Sequence, residues 1–516
     1  MVWLGQKGKV IPMKYENLKE AIQAFQQLQL TQGVYGHVMG VLNLDAATAA
    51  PKGSWEGRGK VAEVMAEIMY KLTVDPENAA LLAYLEEHSE ELDPQTRREA
   101  EIMRKNLDIT TRIPMEDQIA FSVLVNDAEA IWEKAKKENN YAAFAPYLEK
   151  IVDYNRKFAG YYDPKKLPYD ALLHEFEEGM DMGVLDQFFA QLRSAIVPLI
   201  HKIQNTPQID DSFLYRHYPI EIQRLFSDYL MEVLNLDRSY CGIAESEHPF
   251  TTSFNTKDTR ITTHYYEDNL ASSMFSVIHE GGHALYDMGG EDHHNYRFTA
   301  GGVSMGIHES QSRFYENILG RSKAFVHAIF PKVKDLFPQQ LQDVDEDMFY
   351  RAINKAQPSL VRVDADELTY TLHVMVRYEI EKQLIAGTLT VDRVPGEWNR
   401  LYKEYLGVDV PSDTLGCLQD SHWAGGAIGY FPSYALGSAY GVQMLRKMEE
   451  DLGDIWVDVE QGDLSKVTAW LNEKIHRHAS FYKPGQLFEM VCGKFDARYY
   501  TDYLTEKYTR IYNLDN

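Results

Sequence analysis

The sequence predicts a mainly α-helical fold, one large helical body with a small β-sheet just before the segment His279–His283. Apolar residues recur at spacings of three and four along most of the chain, the signature of helices with one buried face. Strand-like alternation is confined to one short segment. No internal repeat, low-complexity tract or Ser/Gly linker divides the 516 residues, so a single domain over 1–516 is expected.

The elements follow in order. Val61, Val64, Met65, Ile68, Met69 and Leu72 mark an amphipathic helix. Asp93-Pro94 reads as an N-cap and first-turn proline opening a helix through Leu107. Phe121 to Lys137 is a further helix, with Leu124, Ala128, Ile131, Trp132 and Ala135 on one side. Helical patterns return at Leu185–Ile203, Ile222–Leu234, Tyr370–Ile385 and Ala435–Asp451. Thr259 to Tyr266, rich in β-branched and aromatic residues, is the strand.

Composition excludes several functions. A net charge of −25 argues against a nucleic-acid partner, since phosphate binding depends on Lys and Arg density, and against anionic membranes. Three scattered cysteines (Cys241, Cys417, Cys492) form no C-x-x-C pair, so neither a disulfide framework nor a cysteine metal site is expected. Met1 to Val10 holds no apolar core of a signal peptide, and no apolar run is long enough to span a bilayer. These features predict a soluble protein of the reducing cytoplasm.

Chemistry enters at Ser276-Val-Ile-His279-Glu280-Gly-Gly-His283-Ala-Leu-Tyr286, which contains HExxH. On a helix, residues four apart share a face, so His279 and His283 can ligate one ion. Glu280 is then placed as general base toward a metal-activated water. Gly281 and Gly282 each cost a helix about 1 kcal/mol relative to Ala, which suggests close approach of substrate or another helix. The third ligand expected is Glu309, opening a helix that runs on through Phe314, Ile318 and Leu319. His293 and His294, in a polar loop, are the rival ligands and are otherwise expected to be exposed.

With this motif in view, the chain resembles the carboxypeptidase Taq family of thermostable metallocarboxypeptidases. Its HPF motif is His248-Pro249-Phe250, and its DxRxT motif is Asp258-Thr-Arg260-Ile-Thr262. HExxH is followed by HES at His308-Glu309-Ser310, then by (I/V)RxxAD at Val361-Arg362-Val-Asp-Ala365-Asp366. GxxQDxHW closes the series at Gly416 to Trp423. Where the family often has Trp-Asp, this chain has Leu44-Asp45.

The resemblance implies a helical body with a deep central active-site groove, similar to angiotensin-converting enzyme and neurolysin. Residues 1–240 would form its wall and lid, and 241–516 would carry the catalytic motifs. It implies one zinc ion per chain (cobalt is an alternative), a cytoplasmic homodimer, and peptide substrates with a free C-terminus. By analogy with related helical metallopeptidases, His422 and Tyr434 are expected over the oxyanion, with Tyr430 as alternate. An exopeptidase also needs a cation for the terminal carboxylate. Arg362 is the first choice and Arg260 the second, unless each merely pairs with an aspartate such as Asp366 or Asp258. Two other functions stay open: an oligopeptidase cutting internally, and a silent peptide-binding scaffold.

Overall fold

The computed structural model describes Tyr15 and residues 17–514. The first ten residues, read above for a leader, lie outside them. Among the described residues the chain is helical apart from one three-stranded sheet. The expected helices all form: Trp55–Val74, Pro94–Arg112, Met115–Glu138, Met182–Gln204, Ile220–Val233, Tyr370–Ala386 and Pro432–Leu452. Asp93 caps the second of these through the backbone N–H groups of Gln95 and Thr96, with Pro94 at its first position.

Most buried apolar side chains belong to one continuous core. A smaller cluster joins Phe25 and Leu28 of helix Leu18–Thr48 to Leu82, Leu85 and Met103, and Phe298, distant in sequence, packs onto it. One expectation is corrected here. Helix Trp55–Val74 buries none of its residues, and Val61 and Val64 stay 47% and 55% exposed. Periodicity gathers apolar side chains on one face; whether another element covers that face is a tertiary matter.

The sheet comprises β1 (Cys241–Glu245), β2 (Thr251–Asn255) and β3 (Asp258–Thr263), in the order β1-β3-β2. β3 pairs parallel with β1 and antiparallel with β2, so β2 is an edge strand. The predicted strand ends three residues early, because the chain turns at Tyr266, which bridges to Asn269, the N-cap of the next helix. That helix, Leu270–Met288, carries HExxH and packs on β2 and β3.

Two helices close against it. Met305–Arg313 starts at the N-cap Ser304 and continues as a π-helical turn, Phe314–Leu319. The expectation of one uninterrupted helix is thereby corrected, and such turns often occur at functional sites. The glycines explain the close packing. A Cβ on Gly282 would lie 2.7 Å from Gln311 O and 2.8 Å from Ser312 Cα, and one on Gly437 would lie 2.7 Å from Glu309 Cβ. The HExxH helix and Pro432–Leu452 thus press on Met305–Arg313 from two sides.

Candidate metal centre and its surroundings

His279 and His283 project from one face of the HExxH helix, and Glu309 meets them from its neighbour. Glu309 Oε2 lies 3.7 Å from His279 Nε2 and 3.5 Å from His283 Nε2. Among the described residues these three form the one group of ligating atoms close enough to share an ion, all within 4.8 Å of one another. Ligand bonds near 2.0–2.2 Å at tetrahedral angles require donor separations of roughly 3.4 Å, close to the two carboxylate–imidazole distances.

The outer hydrogen bonds orient the donors. His279 Nδ1 lies 2.8 Å from Glu316 Oε2, on the π-helical turn. His283 Nδ1 lies 2.6 Å from His308 Nδ1, and His308 Nε2 lies 3.2 Å from Asp287 Oδ1. With the Nδ1 protons donated outward, the two Nε2 lone pairs and a carboxylate oxygen converge with no hydrogen between them. That arrangement suits a cation.

Charge is managed around the trio. Burial pushes the Glu309 carboxyl up, but Arg313 and the two imidazoles prevail and hold it well below the usual range. Arg313 Nε donates to Glu309 Oε1 at 2.7 Å, and its Nη1 to Glu316 Oε2 at 3.1 Å. Burial also acts to raise Glu316, yet Arg313, His279 and Arg321 hold it down to about 2. Sequence reasoning missed Glu316, although the alternating charges at Glu309, Arg313 and Glu316 were its trace. It also missed Thr251, whose Oγ1 donates to Glu280 Oε2 at 2.6 Å. Glu280 is buried next to His279 in the chain, and among the described residues its second oxygen has no hydrogen-bond partner.

The rival ligands stand apart. His294 is buried, contrary to expectation, with Nδ1 2.8 Å from Thr299 Oγ1; His293 is half-exposed beside Glu291. The loop around His294 folds back through Thr299, which buries the ring despite its polar neighbours.

His422, Tyr430 and Tyr434 do come together. His422 Nε2 is 3.4 Å from the Tyr434 hydroxyl, and its ring stacks on Tyr430 at 5.6 Å between centroids. Burial, with Arg362 and Arg377 nearby, lowers the imidazole to about 4 against the pull of Asp420, so it is neutral at pH 7. Its Nδ1 is buried without a partner. An orphaned acceptor costs less than an orphaned N–H, which favours the Nε2–H tautomer. Burial raises Tyr434 far above its ordinary value, leaving a protonated phenol.

The loop holding these groups hangs from Glu381 on helix Tyr370–Ala386. Its carboxylate accepts from Trp423 Nε1 at 2.7 Å, from Gly429 N at 2.8 Å and from the Tyr169 hydroxyl at 2.8 Å.

The two arginines lie in different settings. Arg260 on β3 is matched one-to-one by Asp258, at 2.9 and 3.0 Å, and covers the Phe254 ring. Arg362 pairs with Asp420 at 2.9 Å, whereas Asp366, its expected partner, instead accepts backbone N–H groups of Gln357, Leu368 and Thr369. Arg377 Nε also donates to Asp420, at 2.6 Å. Two guanidinium groups thus share one carboxylate, leaving a surplus positive charge in that trio. Arg362 Nη1 donates to the Tyr370 hydroxyl, and Arg313 lies over the same ring, connecting this cluster to the candidate ligand group.

Known proteins similar to the chain are carboxypeptidases. The chain is 38% identical over 484 residues to carboxypeptidase 1 of Bacillus subtilis, covering 93% of this chain and 96% of that one. It is 34% identical over 481 residues to thermostable carboxypeptidase 1 of Thermus thermophilus, covering 91% and 94%. The solved M32 carboxypeptidase of Deinococcus radiodurans superposes with a TM-score of 0.94 at 34% identity, over 96% of this chain and 100% of that one. Residues 24–508 match the carboxypeptidase Taq (M32) metallopeptidase family, and the chain is a member of it.

Proposed function

We propose that the protein is a metal-dependent carboxypeptidase that removes C-terminal residues one at a time, with broad specificity. The observation that carries this reading is the convergence of His279 Nε2, His283 Nε2 and Glu309 Oε2 on one point, with Glu280 beside them. These three residues would hold one divalent ion per chain, zinc by preference and cobalt as an alternative. When bound, such an ion supplies Lewis-acid chemistry, polarising a carbonyl and making water more acidic.

The protein's own groups supply the rest. Glu280 takes a proton from the attacking water at the oxygen Thr251 leaves free, then passes it to the departing amine. Thr251 holds the other oxygen and so fixes the direction of the lone pair. His422 Nε2–H and the Tyr434 hydroxyl are the donors for the developing oxyanion, with Tyr430 stacked on the imidazole as alternate. Arg362 is favoured over Arg260 for the substrate carboxylate because its cluster carries an unmatched positive charge, whereas Asp258 neutralises Arg260.

Peptides with a free C-terminus are the substrates in this reading, and a cytoplasmic homodimer is the working form. The three cysteines are free, as a reducing compartment requires. No described helix is long and apolar enough to cross a membrane.

The test is a time-resolved mass ladder from a peptide supplied as both acid and C-terminal amide, with and without a chelator. Single-residue losses from the acid, a steep drop for the amide, and recovery of chelated enzyme with zinc or cobalt are expected. Internal cuts made equally on acid and amide would identify an oligopeptidase. Ion binding without cleavage would identify a silent scaffold.

A further inference from the structure

The HES motif contributes its glutamate to the ligand group, which leaves the histidine before it without a role. That histidine, His308, is not placed to ligate. Its Nδ1 faces His283 Nδ1 at 2.6 Å, on the far side of the His283 ring from Glu309. A ring turned to an ion through Nε2 carries its proton on Nδ1, so the His283 Nδ1–H needs an acceptor. Glu316 serves His279 in this way with a carboxylate. Among the described residues the one polar partner of His283 Nδ1 is another imidazole, which can accept at Nδ1 only if its own proton sits on Nε2. Asp287 Oδ1, 3.2 Å from His308 Nε2, favours that tautomer. With an ion held at His283 Nε2, the hydrogen bonds from His283 through His308 to Asp287 all run in one direction.

Packing holds the acceptor in place. The Tyr286 ring lies 5.0 Å from His308 between centroids, and a Cβ on Gly302 would come within 2.5 Å of His308 Cδ2. A cavity of about 320 Å³ is lined in part by Asp287 and His308, so both polar groups border open space.

We propose that His308, held by Asp287, is a positioning residue that fixes the tautomer and ring orientation of His283 and thereby sets how tightly the site retains its ion. This inference rests on the metalloenzyme reading above.

The experiment measures zinc affinity by chelator competition and the visible spectrum of the cobalt-substituted protein, neither of which depends on turnover. His308→Leu removes the acceptor at similar bulk, and His308→Asn restores an oxygen near the Nδ1 position. Affinity should fall ten- to a hundredfold in His308→Leu, with an altered cobalt spectrum, and recover to within several-fold in His308→Asn. Should His308→Leu fail to fold, Asp287→Ala carries the same test. It keeps the imidazole but frees its Nε2–H, and it should weaken retention without lowering the melting temperature of the ion-free protein. Wild-type affinity in whichever of these variants folds, or an equal loss in His308→Leu and His308→Asn, would overturn the inference. A wild-type protein that takes up no ion sinks the metalloenzyme reading itself. An ion-binding wild type with an indifferent His308 sinks only this inference.

Discussion

Glu280 and Glu309 are buried carboxylates near the same pair of imidazoles, but they are held differently, and different phenotypes follow. Glu309 points an oxygen at both Nε2 atoms and is fixed by Arg313 and Ser312, whereas among the described residues Glu280 is held by Thr251 alone. Glu280→Gln should retain the ion and lose turnover by about 10²–10⁴-fold, as expected for a lost proton acceptor. Glu309→Gln should lose the ion first. Metal content and kcat measured on both variants check the assignment; reversed phenotypes would reverse the roles. At Arg362 the informative quantity is a coupling. Arg362→Ala should depress kcat/KM on a peptide acid about as much as amidation does, and add little on the amide. If Arg260→Ala shows that pattern instead, the carboxylate is bound at β3.

Among the elements, helix spacing decides whether the ligands meet. Gly281 and Gly282 are neighbours, yet they face different obstacles. A methyl at Gly281 would meet the Leu234 Cδ1 atom, the end of a side chain, at 2.7 Å; at Gly282 it meets backbone of Met305–Arg313. Gly281→Ala therefore trades a small adjustment of Leu234 against the roughly 1 kcal/mol that Ala contributes in a helix, and should be near neutral. Gly282→Ala must push the two helices apart, which costs about 1–3 kcal/mol and moves Glu309 away from the histidines. Melting temperature and ion affinity should both fall for Gly282→Ala and stay close to wild type for Gly281→Ala. Equal behaviour would mean that this contact does not set the site.

Over the whole molecule, buried titratable groups act on stability in opposite directions. Burial, aided by His308, lowers His476 to about 3 in the folded state, and its Nε2 is tied to Gln311. The unfolded chain protonates this ring near 6.5, so its contribution is intact above that value and is lost as pH falls toward 3. Glu177 and Glu381, both raised to about 7 by burial, act the other way and are most favourable when protonated. Net stability is a balance, so the difference between variants is the clean readout. In the ion-free protein, His476→Gln should flatten the fall in melting temperature between pH 6.5 and 4. An unchanged slope would show that His476 is not the buried neutral group responsible.

Helix periodicity and the four-residue step of HExxH were legible without coordinates because both are local: a helix puts positions i and i+4 on one face whatever surrounds it. The same holds for the glycines, whose cost to the helix announced a close neighbour before that neighbour was known. Contacts between distant segments were not legible. Asp420, not Asp366, partners Arg362 because the loop after Gly416 folds under helix Tyr370–Ala386, and nothing in the RxxAD spacing records that. Glu316 reaches His279 through a π-helical turn, which shifts the phase a regular helix would have. His308 meets His283 and Thr251 meets Glu280 only once the HExxH helix lies between β2 and Met305–Arg313. The sequence by itself determined the helices and the family and named the candidate ligands. The tertiary structure decided which polar group each ligand answers to, because a buried donor must find an acceptor wherever the fold supplies one.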